Sequence, residues 1–146
     1  MKKILFVLLI ALFGVKASAQ QTLQLTFTSD CNVVVNIYMY DPTAPSPCNA
    51  LYSASVSVSG PFSGMINYML PTLSWMHLGG SATLPATALI EHIDVSQSTS
   101  CSFVTVGFGP CALYPTNTII PWCVCTPYSV NLSGTSTNAN LMVLEM

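Results

Sequence analysis

The sequence has almost no charge. Only 5% of its 146 residues are Asp, Glu, Lys or Arg. All three basic residues, Lys2, Lys3 and Lys16, fall in the first sixteen positions. From Gln20 onward there is no Lys and no Arg. The charged side chains there are Asp30, Asp41, Glu91, Asp94 and Glu145, giving −5 with histidine neutral. Phosphate neutralisation relies on Lys and Arg, so binding to nucleic acid or to anionic lipid is excluded as an expectation. Solubility must then come from Ser, Thr, Asn and Gln, and little charge is left to hold neighbouring molecules apart.

Catalytic signatures are missing too. There is no G-x-S-x-G, P-loop, H-E-x-x-H or dinucleotide fingerprint. Five acids offer no spacing that marks a glycoside-hydrolysing pair. No cofactor is expected. No strong helical periodicity occurs, and no internal repeat of fixed period is found.

What is present begins with an export pattern. Lys2 and Lys3 precede the apolar run Ile4 to Val15, and Ala17-Ser18-Ala19 follows with small residues at the cleavage positions. This reads as a signal peptide over residues 1–19, cut before Gln20. The run is too short to span a bilayer, which takes ~20 apolar residues. No second long apolar run follows, so no integral membrane segment is expected after cleavage. The expected location is secreted, periplasmic or cell-surface, and the short Lys-Lys leader reads as bacterial. Residues 20–146 are long enough for one domain with its own core.

Apolar residues there recur every second position. Leu23, Leu25 and Phe27 alternate with threonines and Gln24. Val33, Val35, Ile37 and Met39 alternate with Val34, Asn36, Tyr38 and Tyr40. Tyr52, Ala54, Val56 and Val58 alternate with serines. Successive strand side chains point to opposite faces, so each run describes one buried and one wetter face. Further strands are predicted at Met65–Leu70, Ala88–Val95, Ser102–Phe108, Thr118–Val124, Tyr128–Leu132 and Leu141–Glu145. Pro71–His77 is read as a single turn. Gly, Pro, Asn and Asp clusters separate the runs. The expectation is an all-β, antiparallel β-sandwich of immunoglobulin-like or jelly-roll-like architecture. That likeness is architectural and carries no site.

Six cysteines in an exported chain read as disulfides: Cys31, Cys48, Cys101, Cys111, Cys123 and Cys125. Extended residues two apart have Cα atoms near or beyond the ~7 Å limit for a bridge, so Cys123 and Cys125 should not bond each other. The expected pairing is Cys31 with Cys48, and Cys123 and Cys125 with Cys101 and Cys111. The weaker alternative is a metal held by the C-V-C sulfurs with His77 or His92.

Titratable groups gather only at Glu91, His92 and Asp94. In a regular strand His92 and Asp94 share a face and Glu91 takes the other. A small secreted enzyme built on His92 and Asp94 is the third reading of function. His77 is read as a loop histidine with its ring satisfied. Aromatic rings with amides suit sugar faces and hydroxyls. Asn36, Tyr38, Tyr40, Trp75 and Trp122 are therefore the candidate ligand-binding residues. The leading expectation is a non-catalytic binding or adhesion module for a glycan or a protein partner. The second is a structural subunit that forms a homo-oligomer, layer or fibre, because no lysine guards a sheet edge and the segment Leu141–Leu144 is apolar.

Overall fold

The computed structural model describes residues 21–49, 51–77, 80–121 and 123–146. The predicted leader, residues 1–19, and Trp122 lie outside them. Eleven strands are found among the described residues: β1 (Thr22–Ser29), β2 (Val33–Tyr40), β3 (Leu51–Val58), β4 (Phe62–Met69), β5 (Trp75–His77), β6 (Gly80–Ala82), β7 (Leu89–Ser96), β8 (Val104–Gly107), β9 (Asn117–Ile120), β10 (Tyr128–Gly134) and β11 (Asn138–Glu145). They form two sheets, sheet A in the order β4-β1-β11-β10-β9 and sheet B in the order β6-β5-β3-β2-β7-β8.

The alternating pattern explains how the sheets pack. Leu23, Leu25 and Phe27 of β1 and Leu141 and Val143 of β11 face inward from sheet A, and all are essentially inaccessible. Val33, Val35, Ile37 and Met39 of β2, with Ile90, Ile93 and Val95 of β7, face them from sheet B at 0% exposure. Burying a side chain of this size contributes about 1.5–3 kcal/mol, which fixes the register of each strand against a one-residue slip. The fold is thus a disulfide-stapled β-sandwich. One pairing departs from the antiparallel expectation: β1 runs parallel to β11, with Leu25 opposite Leu141.

β11 lies in the middle of sheet A, between β1 and β10. The apolar segment Leu141–Leu144 is therefore interior to the sheet, not an edge open to a neighbouring molecule. The predicted turn Pro71–His77 also needs correcting. A short 3₁₀ turn, Leu70–Thr72, is followed after Leu73 and Ser74 by β5.

The bridges are Cys31–Cys125, Cys48–Cys111 and Cys101–Cys123. Cys101–Cys123 falls within the expected pairing. Cys31–Cys48 does not form, because the eight residues of β2 lie between them. At ~3.3 Å per residue that strand holds the two ends roughly 25 Å apart. Cys31–Cys125 and Cys101–Cys123 close one end of the sandwich, and Cys48–Cys111 closes the other.

At the doubly bridged end, buried Gln97 replaces backbone pairing. Its Oε1 accepts from the amides of Val124 and Cys125, each at 2.9 Å. Its Nε2 donates to the carbonyls of Cys125 at 3.1 Å and Thr126 at 2.6 Å. One side chain so satisfies a segment that belongs to no strand.

Candidate functional site

The outer face of sheet B carries the residues with chemistry. Cross-strand register places Ser81, Met76, Ser53, Tyr38, His92 and Gly107 in one row across all six strands. The adjoining row holds Ser55, Asn36, Asp94 and Thr105. Tyr40 continues the same face one row further, opposite Leu51 and Leu89.

A bulge in β7 shapes this face. Tyr38 pairs with His92, but the next residue, Met39, pairs with Ile90. Glu91 is thus the extra residue. Its backbone carbonyl accepts from the amides of Phe108 at 3.0 Å and Gly109 at 3.1 Å. An inserted residue turns the side chains that follow it and breaks the alternation. This corrects the expectation that Glu91 occupies the face opposite His92. The Glu91 carboxylate reaches Nδ1 of its neighbour His92 instead. Glu91 is 1% exposed, and its Oε1 is buried without a hydrogen-bond partner.

His92 lies between two phenol rings. Tyr38 stacks on one side with centroids 4.3 Å apart, and Tyr114 leans on the other at 4.8 Å. Tyr114 arrives on the loop between β8 and β9, which Cys48–Cys111 ties to the loop between β2 and β3. The approach is close at Gly107. A Cβ there would come within 2.6 Å of the Glu91 carbonyl oxygen and 2.9 Å of Tyr114 Cδ2. Burial raises the Tyr38 phenol above the ordinary tyrosine value, and the Asp94 carboxylate adds to the shift. Tyr114 is raised by burial first, then by the charge of Glu91 and a hydrogen bond to it, and by Asp94. Asp94 accepts from Thr105 Oγ1 at 2.6 Å.

On the other side of Tyr38 the face opens into a groove of two adjoining lobes. One, of 320 Å³, is lined by Tyr38, Cys48, Asn49, Leu51, Ser53, Met76 and His77. The other, of 400 Å³, is lined by Asn36, Tyr38, Ser53, Ser55, Ser74 and Met76 among others. Tyr38, Leu51 and Met76 supply apolar surface, and two amides with three serine hydroxyls supply donors and acceptors. His77 sits on β5 rather than in a loop. Its ring lies 4.8 Å from Tyr52, and its Nε2 is buried with no hydrogen-bond partner.

Asn36 and Tyr38 therefore meet in one groove, with Tyr40 beyond them. Trp75 does not join them. It is 2% exposed, and its indole Nε1 donates 2.7 Å to the carbonyl of Leu70, so it belongs to the core. The C-V-C metal alternative also fails, because every cysteine is in a disulfide and no thiolate remains. His77 and His92 belong to no group of three or more metal-capable side chains among the described residues. Sequence reasoning missed Met76, Ser53 and Ser55, and noted Tyr114 only as one of several rings near turns. The serines of β3 carried a signal, since their period of two already placed them on the face opposite Ala54 and Val58.

No protein-family model, curated protein or solved structure matches this chain.

Proposed function

We propose that the chain is an exported, non-catalytic binding module that takes an uncharged glycan in the groove on sheet B. The observation that carries this reading is the groove's composition. One aromatic wall, Tyr38, stands beside Met76, with Asn36, Asn49, Ser53 and Ser55 around it. Sugars present apolar C–H faces and rings of hydroxyls, which such a surface matches by stacking and hydrogen bonding. Asp94 and Glu91 lie on the same sheet and residues 20–146 contain no Lys or Arg, so an acidic polysaccharide would meet repulsion with no permanent cation to offset it. The wall is also fixed before a ligand arrives. Tyr38 is stacked on His92 and the rim is tied by Cys48–Cys111, which lowers the ordering cost of binding. Export fits three disulfides, which persist in oxidising compartments.

Retention on immobilised neutral polysaccharides tests the reading. The wild-type chain should be held by at least one, and Tyr38→Ala and Met76→Ala should be released. Asn131→Ala, on the outer face of sheet A, should behave as wild type. Retention of all four chains alike, or of none, would overturn it.

A further inference from the structure

The two sheets end very differently. Sheet B ends on β6 and β8, of three and four residues, and sheet A ends on the four residues of β9. The fourth edge is β4, eight residues long, whose only strand partner among the described residues is β1. A long edge strand offers a row of unpaired amides and carbonyls, and proteins usually guard it with lysine, proline or a bulge. β4 reads FSGMINYM and has none of these side chains, nor any other charge. Its outward residues Met65 and Met69 are 57% and 47% exposed. Its inward residues Phe62, Ile66 and Tyr68 are only partly buried, while their counterparts on β1 are sealed. Among the described residues, nothing pairs with the outer backbone edge of β4, and the core seam behind it is only partly covered.

We infer that β4 is a homotypic interface, on which a second copy of this chain adds its own β4 antiparallel and joins two A sheets into one. The charges select that occupant. Every charge in residues 20–146 is negative, at Asp30, Asp41, Glu91, Asp94 and Glu145. None lies on β4 or on the outer face of β1, β11, β10 and β9. This is the surface on which two such chains meet without like-charge repulsion. The strand is also complementary to itself. A two-fold axis perpendicular to the sheet keeps outward residues outward, so residues of equal parity must pair. Centred on Asn67, that register sets Met65 against Met69 and Ile66 against Tyr68. Methionine covers methionine outside, and Ile66 and Tyr68 cover each other inside, over the paired stretch 65–69. The inference is independent of the groove on sheet B, which the paired sheets leave uncovered on its outer face.

Sedimentation over a concentration series to millimolar tests it on the leaderless chain. The wild type should sediment as a dimer at the upper end. Asn67→Lys should sediment as a monomer, because the axis brings the two lysines together, although the substitution lowers the net charge and would favour association by charge alone. Ile119→Lys, on the exposed edge strand β9, should remain dimeric. A circular dichroism melt shows that each variant is folded. A wild type that stays monomeric throughout, a dimer that survives Asn67→Lys, or a dimer lost instead in Ile119→Lys would overturn the inference.

Discussion

The imidazole of His92 lies flat on the ring of Tyr38, with planes 16° apart. The contact joins two neighbouring strands, and it exists because the bulge at Glu91 re-aims the residue that follows. It holds the Tyr38 ring where its free side forms a wall of the groove. The Glu91 carboxylate fixes the imidazole from one edge, and Tyr114 covers its other side. The histidine works here as a spacer between two phenols. This stacking is a feature on which the proposed binding role rests.

The two half-buried phenols should make the fold less stable at alkaline pH. In an unfolded chain tyrosine ionises near pH ~10. In the fold Tyr38 and Tyr114 keep their protons to higher pH, because burial and the nearby carboxylates oppose phenolate. Above the unfolded value the unfolded chain binds fewer protons than the native one. The stabilising contribution is therefore complete below pH ~10 and is lost as pH rises through the folded values. Urea unfolding from neutral to strongly alkaline pH should show this decline. It should be shallower in Tyr38→Phe, which removes one of the titrating groups.

The rim of the groove depends on one bridge. Replacing Cys48 and Cys111 by serine opens a loop closed over 63 residues of sequence. The expected loss is about 2–5 kcal/mol of stability, measured by denaturant unfolding. Glycan retention should fall in the same variant even where it is folded, because the loop bearing Cys48 and Asn49, which line the groove, is no longer tied down. Cys101→Ser/Cys123→Ser, at the far end, should lose stability and keep retention in its folded fraction.

Deleting residues 141–146 should abolish folding rather than improve solubility. Leu141 and Val143 are fully buried, and β11 pairs with strands on both sides. Removing it would leave β1 and β10 each without a neighbour in the middle of sheet A. Loss of the cooperative melt in circular dichroism checks this.

Much of this architecture was legible in the residues, and the misses have physical causes. β2 begins and ends where its alternation does, because both of its long sides are paired and one face is buried. β5 and β6 were not visible, since three residues hold too short a period to register. Trp75 looked like a surface ring for the same reason. The bulge did leave a trace. Ile90 and Ile93 are both at 0% exposure though three apart, and a regular strand would send them to opposite faces. Two polar residues between two apolar ones marked the irregular point that brings Glu91 to His92. Disulfide partners were not legible, because they depend on which strand ends meet in space. The expected Cys31–Cys48 bridge was wrong, although the strand read at Val33–Tyr40 already set its two ends apart.

The central claim is that the groove beside Tyr38 is where this chain meets its ligand. The most direct measurement is backbone amide shift mapping on isotope-labelled protein during titration with the neutral oligosaccharide that the retention screen selects. Shifts should concentrate on Asn36, Tyr38, Ser53, Ser55, Met76 and His77 and saturate together. Shifts gathered on sheet A, or a spectrum unchanged to the end of the titration, would contradict the claim.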